Sequence, residues 1–190
     1  MHAQFGEVLT IEPNQEIESL NLRFWPGMVP LRQRWRNNGL SADFLADYVT
    51  TFFPLDESDP ATSVRQEEIR GAVSYISNEL LENAMKFHSR GINRPISMEL
   101  YLHEEQIVLQ LTNGVDEASA ERFRHYIERF CESDPNELFL QQMEDNALSD
   151  NSSGLGFLTM ANDYEAQLAW VFRWNAEVDV SVTTQVVIKI

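Results

Sequence analysis

The sequence predicts an α/β protein of the α+β kind: a two-layer sandwich with a mixed, mostly antiparallel sheet covered on one face by helices. Three observations carry this expectation. One long amphipathic stripe fills the middle of the chain. A pair of short strand-like runs follows it, and a second pair closes the C-terminus. Helical periods occupy the space between the two pairs. Of the 190 residues, 43% are hydrophobic, enough for a packed core, and the length suits one domain with a modest N-terminal addition.

From the N-terminus, Phe5 to Phe24 alternates loosely and predicts one or two strands, with Pro13 and Asn14 marking a turn between them. Trp25-Pro26-Gly27 ends that unit. A helix is expected over Val29 to Arg36, broken at Asn38-Gly39. A second helix, capped by Ser41, carries Phe44, Leu45, Tyr48 and Val49 at helical spacing. The acidic, turn-rich connector Pro54 to Pro60 marks a boundary between an N-terminal addition, 1–58, and the main domain, 59–190. Ser63 to Arg90 is the long helix. Ser63 and Gln66 match a capping box, and Ile69, Val73, Ile76, Leu80, Ala84 and Phe87 form one buried stripe that Gly91 ends. Strands are expected at Ile96 to Leu102 and Gln106 to Thr112, with Glu104-Glu105 in the turn. Helices follow at Asp116 to Cys131 and Asn136 to Met143, then a polar stretch, Glu144 to Ser153. Gly154-Leu155-Gly156 opens a helix to about Tyr164. Gln167 to Trp174 and Glu177 to Ile190 read as a terminal hairpin.

Charge narrows the function classes. A net charge of −16 opposes a nucleic-acid partner, which needs a basic face, and an anionic membrane surface. No apolar run reaches the roughly 18–20 residues that cross a bilayer, and no secretion signal is expected at Met1 to Glu7. A single cysteine, Cys131, excludes an internal disulfide framework and fits a cytoplasmic location; it is assigned no role. An acidic protein that binds an anionic ligand must offset its own field locally, through a metal ion or a helix N-terminus. Trp25, Trp35 and Phe52-Phe53 either pack inward or mark the face of a homodimer.

Two constellations carry chemistry. On the long helix, Glu79, Asn83 and Lys86 fall at steps of four and three and share one face beside the apolar stripe. Such a rail can hold a hydrated Mg²⁺ through the amide oxygen and leave the carboxylate as a base, or it can be an ordinary solvated helix edge. Further on, Ser152-Ser153-Gly154-Leu155-Gly156 precedes an apolar helix. Two glycines admit a phosphate close to the backbone, and the helix N-terminus offers free N–H groups; a plain helix-entry turn has the same composition. Thr183-Thr184 in the last strand can be β-branched residues on a polar face, or can offer a hydroxyl to a base edge.

The order of these features resembles the GHKL ATPase superfamily, which has the Bergerat fold, over roughly Ser63 to Ile190. Glu79-Leu-Leu-Glu-Asn83-Ala-Met-Lys86-Phe87 looks like its N box, Gly154-Leu155-Gly156 like its glycine box, and Thr184 like its base-contacting threonine. The resemblance implies that ATP and Mg²⁺ are the cofactors. Asn83 would ligate the metal, Glu79 would be the general base, and Lys86 would lie near the phosphates. A lid would span about 116–153. The family's Asp-x-Gly-x-Gly box is altered here to Thr112-Asn113-Gly114-Val115-Asp116. Asn113 would supply an amide acceptor, or Thr112 a hydroxyl, depending on register. A compact single-domain form looks most like the anti-sigma-factor serine kinases and the SiaB-like kinases. That likeness implies phosphorylation of a serine or threonine on a small STAS-type partner in partner-switching signalling. The altered box supports the alternative of a catalytically degenerate scaffold that regulates by binding alone.

Overall fold

The computed structural model describes residues 2–11, 17–25, 31–56, 58–89, 91–92, 94–148, 154–174 and 179–190. The expected turn at Pro13-Asn14, the Pro26-Gly27 break, the helix start at Val29, the Trp35 side chain, Ser152-Ser153 and Glu177 lie outside the described residues. Eleven elements follow in order among those described: β1 (His2–Phe5), β2 (Glu18–Phe24), α1 (Leu31–Thr50), α2 (Pro60–Phe87), β3 (Ile96–Leu102), β4 (Gln106–Asp116), α3 (Glu117–Glu132), α4 (Pro135–Leu148), α5 (Gly156–Asp163), β5 (Gln167–Trp174) and β6 (Asp179–Lys189). The strands form one six-stranded sheet, ordered β1-β5-β6-β4-β3-β2, and every pairing is antiparallel. This is the α+β sandwich that the element order predicts.

The core lies between the inner face of the sheet and the helices. Ile96, Met98, Leu100, Ile107, Leu109 and Leu111 meet Val73, Ile76, Leu80 and Ala84 of α2, while Phe130, Phe157, Trp170 and Phe172 build its aromatic end. Alternation puts polar residues on the other face: Thr112 and Thr183 hydrogen-bond there through their hydroxyls at 2.8 Å, and Gln185 reaches Gln110 at 3.3 Å.

Several local expectations are corrected by long-range packing. β1 and β2 are not neighbours across a turn; they occupy opposite edges of the sheet. The chain leaving β1 crosses the outer face, where the Gln185 amide accepts from Leu9 N at 2.7 Å and donates to Leu9 O at 2.9 Å. Gly6 permits the crossing: its φ is +72°, and a Cβ there would stand 2.4 Å from the Leu168 carbonyl oxygen. α1 is one helix and runs straight through Asn38-Gly39. Ala42, Leu45, Ala46 and Val49 are fully buried, and α1 packs along α2, which outweighs the roughly 1 kcal/mol that a helical glycine costs.

The long helix starts earlier than its apparent capping box. Asp59 caps it by accepting from Ala61 N at 3.0 Å, with Pro60 in the first turn. Gln66 turns instead to the end of α1 and donates to the carbonyls of Thr50 and Phe53. The helix ends at Phe87, with His88 as C-cap. Among the aromatics, Trp25 and Phe52 are exposed and Phe53 packs against the core. Cys131 is exposed near the end of α3.

Candidate functional site

A cleft of about 740 Å³ opens between α2, the inner face of β4 and β6, α3, and the glycine turn that leads into α5. All eight residues singled out in the sequence line it: Glu79, Asn83 and Lys86 from α2, Asn113 from β4, Gly154, Leu155 and Gly156 from the turn, and Thr184 from β6. They are spread over more than a hundred positions of sequence, and helix face, strand register and one tight turn bring them together.

Strand register decides the floor. β4 runs on to Asp116, past the expected end at Thr112, because β6 continues beside it as far as Asp179. Leu111 faces Thr184, and Asn113 faces Val182, all on the helix side. Thr112 and Thr183 point the other way. Of the two acceptors left open by the sequence, Asn113 is therefore the one in the cleft. Gly114 within this strand leaves room for Ile92, whose Cγ2 would be 2.7 Å from any Cβ there.

Glu79 is half-buried, and removal from water pushes its carboxyl pKa up; the charge of Glu82 adds to the shift. The carboxylate lies against the start of α5: a Cβ on Gly156 would be 2.3 Å from its Oε2. Among the described residues no side chain caps α5, so its first N–H groups are without side-chain partners there. Gly154 has φ +92°, a conformation that suits glycine, and its carbonyl accepts from the Tyr126 hydroxyl at 3.2 Å. Because the following peptide is trans, that contact directs the Leu155 N–H away from α3. Burial pushes the Tyr126 phenol up to about 12.

Positive charge comes from two sides. Lys86 is exposed and sits 5.3 Å from the centre of the Phe87 ring. Arg122, on α3, also lines the cleft and donates to the Ser119 hydroxyl at 3.0 Å. Sequence reasoning missed Arg122, Ser119, Tyr126 and Tyr75. A signal existed for the first three: with Phe123 they fall at steps of three, one and three, one face of α3. Asp116 caps that helix. Hydrogen bonds from Ser89 and Ser119 hold its carboxyl down at about 2, and Ser89 ties the helix start to the end of α2.

Among the described residues no cluster of three or more His, Cys, Asp or Glu is placed to hold a metal. A metal in this cleft would depend on the Asn83 amide oxygen together with ligand phosphates and water, where Mg²⁺ at a phosphate site commonly uses a carboxylate.

No protein-family model and no curated protein matches the sequence. The fold does have a solved counterpart. A chain in the crystal structure of the SiaB-SiaC complex from Pseudomonas aeruginosa superposes with a TM-score of 0.61 at 16% identity, covering 92% of each chain. At that identity the likeness is one of fold. No helix among the described residues is long and apolar enough to cross a membrane.

Proposed function

We propose that this protein is an ATP-binding, GHKL-type regulator of partner-switching signalling, and that it transfers a phosphoryl group to a serine or threonine of a small STAS-type protein. The observation that carries this reading is the convergence of a carboxylate, an unpartnered amide and a bare helix N-terminus on one cleft. The shared fold with a chain of a two-protein complex supports the partner-switching part.

The residues present suit a nucleotide. Gly154 and Gly156 keep the approach to α5 free of side chains, and no described side chain hydrogen-bonds the Asn83 amide. A bound Mg²⁺–ATP would supply the transferable phosphoryl group and the metal charge that offsets the acidic chain. Asn83 would hold the metal through its amide oxygen. Backbone N–H groups of the glycine turn and of α5 would donate to phosphate oxygens, and Lys86 and Arg122 would add positive charge. Glu79 takes the proton of the attacking hydroxyl, a role that its raised pKa favours by making it a better base. Asn113 and Thr184 meet the base.

A second reading has an observation of its own. Asn113 puts a neutral amide, a weaker acceptor than a carboxylate, at the base end, which favours a scaffold that binds partners without transferring phosphate. Calorimetry with ATP or ADP in Mg²⁺ tests the site, and its failure to detect binding would sink both the site and the kinase reading. Transfer of label from ATP to the STAS-type partner, compared between the parent and Glu79→Ala, separates the two readings. Glu79-dependent transfer excludes the scaffold, and intact partner binding with no transfer by the parent excludes the kinase.

A further inference from the structure

We infer that the base end of this cleft does not discriminate adenine from guanine, so that adenine and guanine nucleotides bind with similar affinity. The inference rests on the nucleotide reading of the cleft and concerns which bases it accepts.

Two polar side chains are buried on the cleft floor at this end, Asn113 at 9% exposure and Thr184 at 6%. No described residue hydrogen-bonds either side chain. Their sequence neighbours Thr112 and Thr183 satisfy each other on the far side of the sheet, so the vacancy belongs to the cleft face alone. With no described protein partner, the two polar groups are free to pair with whatever fills the cleft.

What such a ligand must offer is set by the chemistry of the two groups, and neither has a fixed polarity. A half-turn of the Asn113 amide exchanges its donor and its acceptor, and no protein contact holds it in one orientation. A hydroxyl donates or accepts by rotating its proton. In adenine, the 6-amino group donates and N1 accepts. In guanine, the 6-oxo group accepts and N1–H donates. The amide pairs with adenine in one orientation and with guanine in the other. Around it the walls are apolar, from Leu80, Ala84, Leu111, Val115 and Val182. The half-exposed ring of Phe87 at the cleft offers a stacking face, and stacking tolerates any base. Selection against one purine would need a donor or acceptor of fixed polarity, and neither Asn113 nor Thr184 is one.

The test is calorimetric binding of Mg²⁺–ADP and Mg²⁺–GDP to the full chain. The expected result is dissociation constants within about fivefold of each other. In Asn113→Leu, an apolar replacement of similar size, both nucleotides should weaken about tenfold and their ratio should hold. A preference of the parent for either base beyond about thirtyfold overturns the inference while leaving the nucleotide reading intact. So does a variant that weakens only one nucleotide, or neither. If neither nucleotide binds the parent, the nucleotide reading itself falls and takes this inference with it. The parent ratio decides the matter even if the variant fails to fold.

Discussion

Replacing Gly156 with alanine would put a methyl carbon 2.3 Å from Oε2 and 3.2 Å from Cδ of Glu79. Ordinary contact begins near 3.4 Å, so the carboxylate must retreat by about 1 Å. It can do so, because the clash is with the tip of a flexible side chain and not with backbone. The backbone at Gly156 begins a helix and has no positive φ, so alanine is conformationally acceptable there. Alanine also gains up to about 1 kcal/mol in helix propensity, less in the first turn. The expected stability change is within about 1 kcal/mol of zero, read as a shift of a few degrees in thermal denaturation. The expected functional change is much larger. A base displaced by about 1 Å loses on the order of 100-fold in rate, or about 2.7 kcal/mol at 1.36 kcal/mol per decade. Single-turnover consumption of ATP in the presence of the phosphoryl acceptor measures the second quantity on the same preparation. Unchanged turnover would refute the role given to the position of Glu79. A loss of more than about 3 kcal/mol of stability would refute the premise that the side chain yields.

Three further predictions follow from charge and hydrogen bonding. Glu79→Gln should abolish turnover yet raise stability at neutral pH, because the raised pKa means that ionisation is disfavoured in the folded state; urea denaturation at pH 7 reads the gain. By the same sign, the stability that protonated Glu79 contributes at acid pH is lost as pH rises through its folded pKa, and the acid limb of the parent's pH–rate profile should lie above 4.5. Asp116→Ala should cost about 1 kcal/mol at pH 7 through loss of the α3 cap. The parent's Asp116 contribution is present above pH 3.8 and lost as pH falls toward 2, so the gap between the two proteins should close over that window in acid denaturation. Tyr126→Phe should cost about 1 kcal/mol by removing the hydrogen bond to Gly154. Ultraviolet titration of the parent should show one phenol ionising near 12 that the variant lacks, with the associated stability lost as pH rises from 10 through 12.

The long helix was legible because its apolar residues recur at the helical period, and β3 to β6 because they are short apolar or β-branched runs bounded by turn residues, although β6 is buried on both faces. Glu79, Asn83 and Lys86 could be grouped for the same reason: helix geometry alone aligns residues three and four apart. The N-terminal third was less legible. Its two strands pair with β5 and β3, more than seventy residues away along the chain, and no local pattern specifies such partners. Asn38-Gly39 is a valid stop signal by local propensity, yet α1 continues, and beyond that pair Ala42, Leu45, Ala46 and Val49 are fully buried where it packs along α2. Ser63 and Gln66 form a valid capping signal, but Asp59 offers a competing one four residues upstream of Ser63, and the carbonyls at the end of α1 claim Gln66.

The cleft divides along the same line. By itself, the sequence determined which chemical groups are available: a carboxylate and an amide on one helix face, two glycines before a helix, and hydroxyls in a final strand. It also determined that these features come in an order resembling a nucleotide-binding family. Tertiary structure alone decided that Asn113 and not Thr112 faces the helices, since a shift of one residue in a strand exchanges its two faces and only pairing with β6 sets the register. It likewise decided that Glu79 lies against Gly156 and that Arg122 and Tyr126 complete the cleft. These contacts join residues far apart in the chain, and their distances follow from how α2, α3 and α5 pack on the sheet, which no local period encodes.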